Sequence, residues 1–96
     1  MGAEQFWTEG TGETVQQAFT EAVQQAQYDH GHSGYSGTIA EKGSFTEIEL
    51  PEGKDAAGYA DELMDADDPR VEDKWGPAGA LKIVKGRWLF FGWASS

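Results

Sequence analysis

The sequence predicts an α+β domain, with a small, mostly antiparallel sheet of four to five strands and two helices packed on one face. Two segments, around residues 13–29 and 56–64, repeat their apolar residues at the helical period. Two others, 38–50 and 81–93, have the β-rich composition and turn residues of paired strands. The 96 residues suffice for only one hydrophobic core, so we expect a single domain over residues 1–96.

The first half of the chain begins with a short strand at residues 3–8, which ends at a glycine-rich stretch. A helix over 13–29 is the strongest prediction, with Thr11 or Thr14 as its cap and Gly31 as its stop. Its apolar stripe consists of Val15, Ala18, Phe19, Ala22, Val23 and Ala26. The three alanines of the stripe are small enough to allow close packing on a sheet.

The middle of the chain changes to period two. Residues 38–42 are predicted as a strand, joined by a turn at Gly43 to a second strand at 45–50. A second helix of about ten residues follows, and Asp68 before Pro69 suits the start of a short helical turn. The apolar stripe of this second helix is Ala56, Tyr59, Ala60, Leu63 and Met64.

The last third is predicted as two strands, 81–84 and 88–93, with a loop before them at 76–79. A tight turn at residues 85–86 joins the pair. Because the final strand is apolar on both faces, we expect it in the centre of the sheet.

Composition limits the function classes. Cysteine is absent, which excludes disulfides, thiolate metal sites and a cysteine nucleophile. No apolar run approaches the length of a membrane span, and the first ten residues lack the features of a signal peptide. A cytoplasmic protein without membrane contact is therefore expected.

The net charge of −10 is unevenly distributed. Residues 1–73 carry 17 acids and three bases, a balance of −14, whereas residues 74–96 carry four bases and no acid, a balance of +4. This pattern fits a solvated acidic surface, and it also fits a face that docks on a basic partner. Direct nucleic-acid binding is disfavoured, because phosphates repel such a chain.

The stretch 28–42 is the predicted functional loop, because it holds both histidines and three glycines at every third position. Ordering so many glycines needs a reason, since glycine loses the most backbone entropy on folding. We expect a ligand site here for a small polar molecule, such as a nucleotide-like metabolite, with no cofactor and no catalytic residue. The predicted ligand-binding residues are His30, His32, Ser33, Tyr35, Ser36, Thr38 and Lys42.

Other interpretations of this loop remain open. Asp29, His30 and His32 have the character of metal ligands, although a histidine in the last helical turn is also explained by the helix dipole. The segment 31–35, G-H-S-G-Y, departs from the G-x-S-x-G nucleophile elbow in its last residue and lies between a helix and a strand rather than the reverse.

Two further clusters have competing interpretations. An acidic group in the last part of the second helix and just after it fits a divalent ion or, more simply, a solvated helix end; it comprises Asp61, Glu62, Asp65, Asp67 and Asp68. An aromatic set fits a stacking wall for a planar base or, more often, a core; it comprises Tyr28, Tyr35, Trp75 and Trp88.

Three blocks of the sequence resemble small uncharacterised proteins of bacteriophages and their bacterial hosts. They are Y-D-H-G-H-S-G-Y-S-G-T-I-A-E-K, D-K-W-G-P-A-G and W-L-F-F-G-W-A-S, about a third of the chain. The resemblance implies a source and no mechanism. With a phage source, a small acidic protein that blocks a host defence factor becomes a sharper expectation.

The leading hypothesis is therefore a non-catalytic binding protein with its ligand site on the loop. The alternative is an acidic interaction module that covers a basic surface of a host protein, and a small metal-dependent enzyme ranks third. A homodimer is also expected, because a second copy covers an exposed sheet edge or aromatic patch.

Overall fold

A computed structural model describes residues 2–30 and 37–95. The described chain forms one four-stranded sheet in the order β1-β4-β3-β2 and two α-helices, which confirms the α+β class. The strands are β1 (Ala3–Thr11), β2 (Phe45–Ile48), β3 (Ala78–Val84) and β4 (Arg87–Ser95), and the helices are α1 (Val15–His30) and α2 (Ala56–Asp65).

The sheet is mixed, with two antiparallel pairings and one parallel pairing. β4 pairs antiparallel with both β1 and β3, while β2 pairs parallel with β3. The interior position of β4 confirms its prediction as a central strand. Gly86, at φ +85°, supplies the left-handed residue that the turn between β3 and β4 requires.

Helix α1 begins as the sequence predicts, because Thr14 caps it. The Thr14 hydroxyl accepts a hydrogen bond from the backbone N–H of Gln17 at 3.2 Å, and the Gln17 side chain accepts one from the N–H of Glu13 at 2.9 Å. The first contact satisfies a donor that a helix start leaves unpaired, and the second ties the residue before the cap to the first turn. Gly31, the predicted stop, lies outside the described residues.

The two helices lie on opposite faces of the sheet, so the expectation of both helices on one face is wrong. Side chains alternate across a strand, and Phe90 packs with α1 whereas its neighbour Phe91 packs with α2. The strand order explains this, because α1 crosses the sheet from β1 to β2 whereas α2 returns in the opposite direction, from β2 to β3. Parallel strands are joined by right-handed crossovers, and two such crossovers in opposite directions lie on opposite faces. We call the α1 side face A and the α2 side face B.

Residues 38–42 form a 3₁₀ turn (Ile39–Glu41) rather than the predicted strand. The Thr38 hydroxyl accepts from the N–H of Ala40 at 3.2 Å, and the N–H of Lys42 donates to the carbonyl of Ile39 at 2.9 Å. Ile39 is fully buried in the face A core. Burial of this one apolar side chain and the Thr38 cap therefore replace strand pairing, and β2 pairs with β3 instead.

The remaining differences concern element ends. β1, β3 and β4 are longer than predicted and β2 is shorter. α2 begins at an Asp55 cap, which accepts from the N–H of Gly58 at 3.1 Å. The described helices are too short or too polar to cross a membrane.

Candidate functional site

The structure describes only part of the predicted loop site. His32, Ser33, Tyr35 and Ser36 lie outside the described residues, and His30 is described only as the last residue of α1. Thr38 and Lys42 are described, and they do different things. Among the described residues, no group of three or more histidine or acidic side chains has the arrangement of a metal site.

Lys42 is a buried amine at the centre of a ring of backbone carbonyls. Its side chain is 4% exposed, and its Nζ donates to the carbonyls of Asp73, Lys74 and Gly76 at 3.3, 3.1 and 2.9 Å. An ammonium has three protons, so these bonds use its full donor capacity. Burial lowers the pKa of Lys42 below its ordinary 10.5, and the nearby Asp73 carboxylate opposes that shift. The contacts assign Lys42 a structural role, closing the 73–76 turn.

Thr38, in contrast, borders a groove between β1 and α1. The groove has a volume of about 180 Å³. Its charged lining residues are all acidic, and no base lines it among the described residues; the lining is Thr8, Glu9, Glu21, Ala22, Gln25, Ala26, Asp29 and Thr38. We call this the β1–α1 groove.

Hydrogen bonds fix the polar side chains of the β1–α1 groove. The Thr11 hydroxyl donates to Glu21 Oε2 at 2.8 Å, which ties α1 to the end of β1. Gln25 Nε2 donates to Asp29 Oδ1 at 3.3 Å. Glu9 has the strand parity of Trp7, so its side chain lies on face B, where it accepts an ion-paired hydrogen bond from Arg87. The groove therefore presents oxygen acceptors, a chemistry suited to cationic or N–H-bearing ligands and unfavourable to phosphate.

On face B, Trp7 and the outer flank of α2 form a second polar surface at the same strand. Trp7 is 46% exposed, and its indole Nε1 donates to Asp61 Oδ1 at 2.9 Å. Asp65 follows Asp61 one helical turn later on the same flank and is exposed. We call Trp7, Asp61 and Asp65 the tryptophan–acid surface.

The predicted aromatic set does not share one environment. Trp88 is buried in the face A core, whereas Tyr28 and Trp75 are exposed. Tyr35 lies outside the described residues. Trp75 carries Lys74 over its ring, with Nζ 5.3 Å from the ring centroid. Of the described aromatic residues in this set, only Trp88 lies in a hydrophobic core.

The predicted acidic cluster is distributed among different partners. Asp61 holds Trp7, while Glu62 pairs with Lys54 at 3.0 Å. Asp68 pairs with Arg70 at 2.8 Å. These contacts fit the solvated helix end better than a shared divalent ion.

A larger, open hollow of about 680 Å³ lies at the opposite edge of the sheet, along β2 and β3. It mixes acidic, basic and apolar side chains and is lined by Glu47, Ile48, Glu49, Leu50, Lys82, Ile83 and Val84. Its backbone edge, β2, has only four residues. The edge of β2 therefore offers fewer backbone groups for pairing with another strand than the edge of the nine-residue β1 does.

Sequence reasoning missed the role of Trp7, because its partner Asp61 is 54 positions away. One signal was present: Phe6 and Trp7 are adjacent in a strand, so they must point to opposite faces. The position of α2 is not evident from the sequence, so the residue that lies beside Trp7 on face B could not be predicted.

Comparison with protein-family models, with curated protein sequences and with solved structures gives no match.

Proposed function

We propose that this protein is a non-catalytic interaction module that binds a basic surface of a partner protein. The observation that carries the proposal is the tryptophan–acid surface, where a half-exposed indole is held in place by a carboxylate on an acidic helix flank. Aromatic residues at the centre of an interface supply much of its binding energy. A lysine or arginine from the partner would stack on the Trp7 ring and face Asp61 and Asp65.

The distribution of the bases supports the same function. Of the seven bases, Lys42 is buried, and Lys54, Arg70 and Arg87 each pair with an acid. Four of the seven bases are thus held by groups of the protein itself, while the net charge stays at −10. Such a field steers a basic partner towards the surface.

A partner that normally holds nucleic acid would present such a basic surface. A phage-type inhibitor of a host defence factor is one function of this class, and it agrees with the resemblance of the three sequence blocks. We infer that the protein acts together with this partner protein and does not act in a membrane.

A small-molecule site at the loop is the second candidate, and the β1–α1 groove is the observation that favours it. Thr38 and Asp29 border the groove at the end of the predicted loop. Its acidic lining suits a small cation better than a nucleotide-like molecule. Lys42, the only base in the predicted set, already donates to three carbonyls.

Equilibrium binding of poly-L-lysine to Trp7→Ala and Trp75→Ala tests the proposal. Both tryptophans are exposed, at 46% and 61%, but the Trp75 ring already carries the Lys74 ammonium, whereas the Trp7 indole is hydrogen-bonded to Asp61. An exposed cation–π contact contributes about 0.5–1 kcal/mol, so Trp7→Ala should raise the Kd about two- to fivefold. Trp75→Ala should leave it unchanged. Equal Kd values for the wild type and Trp7→Ala would contradict the proposal.

A further inference from the structure

We propose that the open edge of β1 binds an extended basic segment of the partner as an added strand. This inference rests on the proposed function and specifies how the partner binds. Three features carry it: a long unpaired strand edge, acidic side chains on both sides of that edge, and a neighbouring helix that completes a groove.

The edge of β1 is open along its whole length in the described part of the chain. β1 is the first strand of the order β1-β4-β3-β2, and its nine residues pair only with β4. Nine extended residues span about 30 Å. Unpaired strand edges of this length are templates for pairing with another chain unless they are blocked.

The backbone register identifies the groups that face outward. The N–H of Gly12 donates to the carbonyl of Gly86 at 3.1 Å, on the β4 side. Because hydrogen-bonding direction alternates along an antiparallel strand, the even-numbered residues of β1 pair with β4. Gln5, Trp7 and Glu9 therefore direct their N–H and C=O groups to the open edge.

Both sides of this edge are acidic. On face A the edge borders the β1–α1 groove, with Glu21 and Asp29 on the helix flank. On face B it borders Trp7 and Asp61. An added strand alternates its side chains between the two faces, so a segment with basic residues on both faces matches both surfaces.

The charge argues against a second copy of the same chain as the occupant. Pairing of two β1 edges would bring together two grooves with the same acidic residues. Like charges placed opposite each other destabilise strand pairs. A groove between a strand edge and a helix is also the arrangement that peptide-binding domains use for strand addition.

The test uses a nine-residue peptide, the length of β1, composed of threonine and lysine with lysines on both faces of the extended chain. Two derivatives carry N-methyl groups on the amides of either the odd or the even residues. All three peptides keep the same charge. Fluorescence anisotropy with the full-length wild-type protein measures their Kd values.

Strand addition predicts that the unmodified peptide binds and that only one derivative is impaired. In an added strand only alternate amides face β1, so methylating that set should weaken binding about tenfold or more, and the other set should have little effect. Equal binding of all three peptides would overturn strand addition and leave the charge-based function intact. Equal loss by both derivatives, or no binding by any peptide, would also overturn strand addition.

Variants at Gln5 add a test on the protein side. The Gln5 N–H faces the open edge, so Gln5→Pro removes an outward donor without breaking the β4 ladder, as edge prolines do. Gln5→Ala is the matched control, and the melting temperature verifies that each variant is folded. A folded Gln5→Pro protein that binds the unmodified peptide as well as Gln5→Ala does would contradict the proposal. Sedimentation tests a second copy as the occupant: a wild-type dimer that Gln5→Pro dissociates, and Gln5→Ala does not, would show that another copy holds the edge and would overturn the proposal.

Discussion

Lys42 shows how a residue that suggests a binding site in the sequence becomes part of the framework. A lysine in a glycine-rich loop is a reasonable ligand contact, but here a 3₁₀ turn directs its side chain into the protein. A buried ammonium is tolerated only when its protons are hydrogen-bonded. The carbonyls of the 73–76 turn meet that requirement.

We expect Lys42→Met to lower the free energy of unfolding by about 2–4 kcal/mol, because three part-buried carbonyls lose a charged donor. Lys54→Met is the matched control, since Lys54 is exposed and paired with Glu62 at the surface. That change should have an effect of about 1 kcal/mol or less. Urea denaturation of both variants measures the difference, and equal stabilities would show that Lys42 is not a structural residue.

Gly10 is a second residue whose neighbours fix its identity. A Cβ at this position would lie 2.4 Å from the backbone oxygen of Ala18 and 3.0 Å from Phe90 Cε2. The absence of a side chain lets α1 pack closely on β1.

Gly10→Ala should therefore destabilise the fold by about 1–3 kcal/mol, as overpacking does. At Gly43 a Cβ would meet nothing within 4 Å, and Gly43→Ala should be neutral or stabilising by up to about 1 kcal/mol. Thermal unfolding of the two variants compares them directly. A Gly10→Ala protein as stable as Gly43→Ala would mean that α1 does not pack on β1 at this distance.

At the scale of elements, the sequence predicted what depends on local periodicity. The α1 stripe is recognisable because its apolar residues share one side of a helix, and Ala18, Phe19 and Ala22 are indeed buried. β4 is recognisable because Phe90 and Phe91 are both fully buried, on opposite faces.

The missed features depend on tertiary contacts. Periodicity identifies the apolar side of a helix but not the face of the sheet that it covers. The strand order and the parallel pairing of β2 with β3 determine the face that α2 covers, and no local pattern marks them. In the candidate site, Thr38 borders the β1–α1 groove as a loop residue, whereas Trp7 and Asp61 meet only because α2 crosses face B.

The turn after α2 gives an acid-sensitive element. Asp68 accepts hydrogen bonds from the backbone N–H and from the guanidinium of Arg70, at 2.8–2.9 Å. Chiefly through the side-chain bond, these contacts lower the pKa of Asp68 from 3.8 to about 2. Val71, fully buried in the face B core, anchors the same turn.

Because the folded pKa is depressed, the unfolded chain binds more protons between pH 3.8 and about 2. This contribution to stability is therefore complete above the unfolded pKa and is lost as the pH falls towards 2. Arg70→Gln should flatten the loss of stability across this window. Lys54→Gln makes the same charge change at a residue that pairs with Glu62 instead, and it should keep the wild-type slope. Stability measured against pH would contradict the assignment if the two variants behaved alike.

At the scale of the whole molecule, charge and shape act together. The fold places the long strand β1 at one edge of the sheet and positions acidic side chains of both helices beside it. The opposite edge has the short strand β2, with Glu47 and Glu49 at the mixed-charge hollow. A partner that is attracted only by net charge would not distinguish the two edges. A partner that binds the tryptophan–acid surface would.

The most direct test of the central claim is the association rate with immobilised poly-L-lysine at two salt concentrations, for the wild type and two charge-matched variants. Asp61→Asn/Asp65→Asn removes charge from the proposed surface, and asparagine can still accept the Trp7 hydrogen bond. Glu47→Gln/Glu49→Gln removes the same charge at the opposite edge. Exposed charges contribute little to folding, so both variants should keep their stability.

Asp61→Asn/Asp65→Asn should associate more slowly than the wild type and with a weaker salt dependence. Glu47→Gln/Glu49→Gln should give nearly wild-type values. Wild-type association should slow steeply with salt, because the Debye length falls from about 10 Å at 0.1 M to about 3 Å at 1 M. Equal rates for the two variants, or a wild-type rate that does not respond to salt, would contradict a specific acidic interaction surface.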